Sequence, residues 1–441
     1  MSERFCLNTL EQLRTGALRG AQRLTLRAGL RELPDEIYSL ADTLEVLDLS
    51  GNELDHMPDD LARLRKLRVI FCANNRFTRL PDVLGRCEAL EMVGFKANQI
   101  TDVPAAALPP RLRWLILTDN QVNALPEVLG QRPLQKVALA GNRLRALPAS
   151  LATCETLELL RISANRLEAL PDGLLTLPRL TWLAHGGNPF SAAHEAAVLA
   201  HASVPSHAWS QLDVQALLGE GASGHIHRVQ LPDGRSMALK VFKGEVTSDG
   251  LPTTELAACL QAGAHPQLIP AVGRLTGHPG GADGLLMPLI GPEFRVLAGP
   301  PSLASCTRDV YDPALRLTPQ AALRAAAGIA DALAHLHARG LTHGDLYAHN
   351  ILHDGHGQVR LGDFGAASFL ASVPAAQALR LRALDVRALG CLLEELLACS
   401  TEESPALATM ATLRDACLSR DIDRRPVALD MAQSLGGLVL G

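Results

Sequence analysis

A few polar positions in the second half of the chain stand out by type and spacing. Gly219, Gly221 and Gly224 fall in Gly219-Glu220-Gly221-Ala222-Ser223-Gly224-His225-Ile226. Glycines this close together let backbone amides approach a polyanion without side-chain clash. Lys240 is the single charge in the apolar run Met237-Ala238-Leu239-Lys240-Val241, and Glu255 follows fifteen residues later on a helical pattern. Asp345 lies in His343-Gly344-Asp345-Leu346-Tyr347-Ala348-His349-Asn350, and Asp363-Phe364-Gly365 begins thirteen residues beyond Asn350. A carboxylate and a carboxamide are hard oxygen ligands of the kind Mg2+ takes. Taken singly, each residue has a plainer reading: Lys240 as a solvated strand residue, Asp345 as a helix or turn cap. Together and in this order they point to chemistry on phosphate.

The chain that must position them has 441 residues, which predicts two or three domains rather than one. Hydrophobic residues make up 47%, enough for a packed interior. The formal net charge is −5 with both signs interspersed, which argues against a nucleic-acid surface or a polybasic membrane tether. No run of about 18 apolar residues occurs, so no membrane span is expected. The start, Met-Ser-Glu-Arg-Phe-Cys, lacks the features of a signal peptide. Nine cysteines without a CxxC pair read as reduced thiols of a cytoplasmic protein, most of them small core residues.

The first half is periodic. Asn52, Asn75, Asn98, Asn120, Asn142, Asn165 and Asn188 recur at gaps of 22 or 23 residues, each in a frame like Leu44-x-x-Leu47-x-Leu49-x-x-Asn52. A fixed period of this length means a solenoid of stacked units sharing one core. The Leu-x-Leu alternation predicts a short strand, the asparagine a turn whose amide bonds free backbone groups, and the following Leu-Pro a short return segment. Leu24 to Leu30 is one residue short and lacks the asparagine, so it and residues 1–20 read as an N-terminal cap. The helix after Asn188-Pro189-Phe190 reads as the C-terminal cap. Two columns of residues flank the strand leucines: Val46, Val69, Met92, Trp114, Lys136, Leu159, Trp182, and then Asp48, Phe71, Gly94, Ile116, Ala138, Arg161, Ala184. Such an apolar face predicts a partner-binding surface through Trp114, Trp182, Phe71, Ile116 and Met92, or one covered by the chain itself.

Residues 21–190 resemble the intracellular leucine-rich repeats of bacteria and plants. From about residue 208 onward, the ordered glycine loop, Lys240, Glu255, Asp345, Asn350, Asp363-Phe364-Gly365, Asp385 and Asp423-Arg424-Arg425-Pro426 resemble the eukaryotic-type protein kinase domain. The two resemblances imply an α/β leucine-rich-repeat solenoid over residues 1–200. An α+β two-lobed kinase-like domain over residues 201–441 follows, in a bacterial-looking chain. They imply ATP and Mg2+ as cofactors. Nucleotide contacts would come from Gly219, Gly221, Ala222, Ser223, Gly224, Ile226, Ala238, Lys240, Met287 and Leu289. Lys240, held by Glu255, would take the phosphates, Asn350 and Asp363 the metal, and Asp345 the proton of the attacking hydroxyl. His343 and Phe364 would pack in the interior, and Asp385 would anchor the loop of Asp345.

Several positions depart from that pattern. Gly344 replaces an arginine, and Tyr347 replaces the lysine that meets the γ-phosphate. Only nineteen residues separate Gly365 from Asp385, which predicts a shortened activation segment with Val373-Pro374-Ala375 as its remnant. Arg425 loses its usual glutamate partner. The expected function is transfer of the ATP γ-phosphate to Ser/Thr hydroxyls of a protein recruited by the repeats. A pseudokinase scaffold and a small-molecule kinase of aminoglycoside type, whose catalytic loop is similar, are the alternatives.

Overall fold

The structure is a computed structural model and describes residues 7–201, 204–221, 224–243, 246–247, 249–400 and 402–440. Ala222 and Ser223 of the glycine loop lie outside the described residues. The chain divides into two compact units, Met1–Leu160 with Asn165–Arg179, and Arg161–Ala164 with Leu180–Gly441. The division departs from a boundary at residue 200, because the last repeat turn and the helix after it are counted with the residues that follow.

The first unit is built from near-identical turns. Helix α1 (Leu10–Arg14) opens on a Thr9/Gln12 capping box, and Asn8 just before it pairs with Thr25. Strands β1 (Arg23–Thr25), β2 (Val46–Asp48), β3 (Val69–Phe71), β4 (Met92–Gly94), β5 (Trp114–Ile116) and β6 (Lys136–Ala138) run parallel in sequence order. Their central residues stay in register, Leu24, Leu47, Ile70, Val93, Leu115 and Val137, and all are buried. Strand β7 (Leu159–Arg161) carries the unit boundary, with Arg161 counted in the second unit. Each return segment is a 3-10 turn opened by proline: Pro34, Pro58, Pro81, Pro104, Pro126, Pro148 and Pro171. Proline fits there because its fixed φ suits a helical start and its missing N–H has no partner to lose.

The asparagines form a hydrogen-bonded ladder. Asn98 Oδ1 accepts from Phe77 N at 3.1 Å, and its Nδ2 donates to the carbonyls of Cys72 and Phe95 at 2.9 and 3.1 Å. Asn52, Asn75, Asn120 and Asn142 use their amides in the same way. An amide carries both donors and acceptors, so one side chain satisfies backbone groups of two successive repeats. The residue before each asparagine takes positive φ, glycine at 51, 141 and 187 but Asn74, Ala97, Asp119 and Ala164 elsewhere, with φ of 53 to 59°.

The expected open apolar face is largely closed. Met92, Trp114 and Trp182 are 3%, 9% and 2% exposed, while Phe71 and Ile116 are half-buried. Parallel strands stand about 4.8 Å apart, so residues in one column cover their neighbours. Phe71 leans across Gly94, where a Cβ would meet its ring at 2.5 Å.

After Arg161–Ala164, the second unit continues with the last repeat turn, β8 (Trp182–Ala184), and helix α2 (Pro189–His201). Its mixed sheet has the order β10-β11-β12-β14-β13-β9, from β9 (Ser206–Ala208), β10 (Asp213–Glu220), β11 (Gly224–Gln230), β12 (Ser236–Phe242), β13 (Gly273–Thr276) and β14 (Gly284–Pro288). Leu239, Val229 and Leu286 centre the apolar cluster of this sheet. Helix α3 (Pro252–Ala262) follows β12. The remaining lobe holds α4 (Pro319–Ala338), α5 (Ala375–Cys399), α6 (Pro405–Cys417) and α7 (Ala428–Leu440), with α4 packed against α7 and α5. Short ribbons carry the loops: β15 (Arg295–Val296) with β17 (Ile351–His353) and β18 (Val359–Leu361), and β16 (Leu341–Thr342) with β19 (Ser368–Phe369).

Candidate active site

Lys240 sits in the middle of β12, opposite Ile226 on one side and Leu285 on the other, so its backbone is fixed by both neighbours. Its Nζ lies 2.6 Å from Glu255 Oε1 on α3 and 3.5 Å from Asp363 Oδ1. Burial opposes charge on Lys240, but the Asp363 and Glu255 carboxylates outweigh it and hold the ammonium well above the usual lysine range. Burial pushes the Glu255 carboxyl up to about 7 against the pull of Lys240. Asp363 has burial against it too, yet Lys240 and the Gly365 amide keep it below the usual carboxylate range. Asp363 also takes φ of 57°, a strained backbone for a non-glycine residue of the kind found at functional sites.

Asp345 and Asn350 are joined directly. Asn350 Nδ2 donates to Asp345 Oδ2 and to the Asp345 carbonyl, each at 2.9 Å. With its nitrogen so engaged, Asn350 would have its oxygen to offer a cation. Asp363, whose side chain is 37% exposed, presents carboxylate oxygen. The pair fits a Mg2+ ion that also binds phosphate oxygens, since such sites use few protein ligands. Among the described residues, no cluster of three or more His, Cys, Asp or Glu is arranged to hold a metal by itself.

The loop carrying Asp345 is held from below by Asp385, whose Oδ2 and Oδ1 accept from His343 N at 2.7 Å and Gly344 N at 3.0 Å. His337 bonds the same carboxylate at 3.1 Å. His343 and Phe364 are buried with ring centroids 5.5 Å apart. Gly344 takes φ of +70°, and a Cβ there would stand 2.5 Å from the Ala366 carbonyl oxygen and 2.7 Å from that of Leu183. An arginine does not fit; glycine is what this approach requires. Tyr347 is buried, and its hydroxyl has no partner among the described residues. Pro374 caps α5, so the remnant of the activation segment is a helix start. Arg425 donates to the carbonyls of Ser419 and Ala383 at 3.0 and 3.1 Å, which answers where it goes without its glutamate.

At the glycine loop, Gly219 and Gly221 face open space at their Cβ positions, and Gly221 N donates to Gly224 O at 2.9 Å. Ala238 pairs with Met287 across β12 and β14, placing both at the strand end that leads to Leu289.

Two further contacts were outside the sequence reading. Arg161 donates to the Gly344 carbonyl at 3.1 Å, bonds Asp345 Oδ1, and lies 2.8 Å from Asp249. Burial works against its charge, and Asp345 and Asp249 more than restore it. Trp182 stacks on Tyr347 at 4.2 Å and donates to the Leu346 carbonyl at 3.1 Å, so it is not available to a separate partner. The one signal was compositional: Arg161 is the only cation in its column.

Among the described residues, no helix is long and apolar enough to cross a membrane. Residues 212–381 match the family model for the protein kinase domain, and residues 43–64 match that for the leucine rich repeat. The chain is also similar to the DNA damage-responsive serine/threonine-protein kinase RqkA of Deinococcus radiodurans, at 32% identity over 162 residues. That alignment covers 35% of this chain and 22% of the relative. The chain therefore combines leucine-rich repeats with a protein kinase domain.

Proposed function

We propose that the protein is an ATP- and Mg2+-dependent serine/threonine kinase acting on a protein substrate that the repeats recruit. The observation that carries this reading is the assembled set: Lys240 on Glu255 at 2.6 Å, Asp363 within 3.5 Å of Lys240, and Asp345 joined to Asn350. Lys240 has three ammonium protons, and one firm bond to Glu255 leaves donors for phosphate oxygens. Mg2+, when bound by Asn350 and Asp363, would offset charge on the transferring phosphoryl group. Asp345 orients the attacking hydroxyl and accepts its proton. Substrate recruitment falls to the repeats, where Phe71 and Ile116, with Met92 and Trp114 packed in the neighbouring column, are the remaining apolar positions.

Incubation of purified protein with labelled ATP and Mg2+ tests the reading. Label should appear in wild type and vanish in Asp345→Asn and Asp363→Asn; equal label in all three rejects it. Tyr347 favours a second reading, a scaffold that binds nucleotide without turnover. Its buried ring cannot replace a cation at the γ-phosphate. A thermal shift with ATP and no transfer supports the scaffold, and transfer to a metabolite without protein label supports a small-molecule kinase.

A further inference from the structure

Two segments of the second unit, Arg161–Ala164 and the residues from Leu180 through α2, touch both halves of the candidate machinery. Arg161 holds the Gly344 carbonyl with one Nη, Asp345 Oδ1 with the other, and Asp249 with Nε. Because Asn350 takes Asp345 Oδ2, both carboxylate oxygens are fixed. A planar guanidinium bonded to a backbone carbonyl and the next side chain sets the two together, which a flexible ammonium does less well. Trp182 adds its bond to the Leu346 carbonyl and its stack on Tyr347. On α2, Glu195 Oε2 accepts from Thr254 Oγ1 at 2.7 Å, and its Oε1 accepts from Gly187 N at 2.8 Å. Thr254, Glu195 and Glu255 are all buried. Thr254 precedes Glu255 at the start of α3, so this bond fixes the turn from which Glu255 reaches Lys240.

We infer that Arg161 at the end of β7, the last repeat turn and α2 together form the positioning element of the phosphoryl-transfer site, Arg161 setting Asp345 and Glu195 setting Glu255. The inference rests on the kinase reading above. Such an element is needed here. From Gly365 the chain makes only the short strand β19 and one 3-10 turn before α5 begins at Ala375. The loop of Asp345 instead packs against the Ala366 and Leu183 carbonyls, with glycine at the approach. Arg161 does not plug the site. An ionised carboxylate has about four lone-pair sites, and the two side-chain bonds leave room for a hydroxyl. A plug would gain nothing from a bond at the base of Glu255, yet Glu195 bonds Thr254 just before it.

The test uses the full chain and steady-state kinetics. Arg161→Ala should lower kcat by about 10- to 100-fold, the scale expected when a reacting group is displaced by about 1 Å, with KM for ATP little changed. Arg161→Lys should recover part of that loss. Thr254→Val, which removes only the hydroxyl link, should instead raise KM for ATP. An Arg161→Ala protein with equal or higher kcat overturns the inference, and higher kcat would make Arg161 a brake. If wild type transfers no phosphate at all, the kinase reading fails separately. Amide exchange then decides the positioning: faster exchange over residues 343–350 in Arg161→Ala supports it, and unchanged exchange overturns it.

Discussion

His185 sits one residue beyond β8, fully buried, with neither ring nitrogen hydrogen-bonded among the described residues. Burial lowers its pKa from 6.5 to about 4. The folded protein therefore binds this proton less tightly than the unfolded chain. The stabilising contribution is complete above the unfolded value and is lost as pH falls from about 6.5 toward 4. Integrating between those two values, wild type should lose about 2 kcal/mol from this residue on going from pH 7 to pH 5, and about 3 kcal/mol by pH 4. The perturbation is His185→Leu, which keeps apolar volume and removes the titration. The assay is chemical denaturation of both proteins across pH 7 to 5, taking the difference between them so that shared titrations cancel. The wild type should fall relative to the variant by that amount. Parallel curves would refute the reasoning, because they would mean that the buried imidazole finds a proton partner or water. The loss should also be local: His185 follows Trp182 and Leu183, so acid should speed amide exchange around Leu346 before the rest of the lobe.

Three other outcomes are expected. Asn98→Ala leaves Phe77 N–H and the Cys72 carbonyl unpaired in the core, while the Phe95 carbonyl keeps Asn120 Nδ2, and should cost on the order of 3 kcal/mol by urea denaturation; a cost under about 1 kcal/mol would show that water enters the ladder. Ala97→Gly relieves a left-handed residue at φ 53°, and should stabilise by about 0.5–1 kcal/mol once glycine's extra unfolded-state freedom is offset; destabilisation would contradict the strain. Gly344→Ala forces a Cβ against two carbonyl oxygens at positive φ, and should cost more than about 2 kcal/mol and most of the transfer activity; a fully active variant would show that the loop has room.

Much of the fold was legible because it is periodic. Asparagines every 22 or 23 residues and a proline after each strand are local facts, and the strands and 3-10 turns appear where those residues stand. Lys240, Glu255, Asp345, Asn350 and Asp363 were found by order and spacing, and the structure brings them together. For the apolar columns the sequence left partner binding and cover by the chain itself both open. Alternation tells which face of a strand a residue occupies, but not what covers that face. Trp182 alternates as a surface residue would and is nonetheless 2% exposed. The oddity of Gly344 was visible, but not its cause, since the crowding carbonyls belong to Ala366 and Leu183.

By itself, then, the sequence determined the repeat register, the asparagine ladder and the grouping of Lys240, Glu255, Asp345, Asn350 and Asp363. Each follows from the chemistry of neighbours along the chain or from a fixed spacing. Tertiary structure alone decided that Arg161 meets Asp345 across 184 residues, that Trp182 covers Tyr347 across 165, and that Glu195 reaches Thr254 across 59. Contacts at such separations leave no period to read. They exist because buried charges and indole nitrogens must find partners, and the folded chain brings these together.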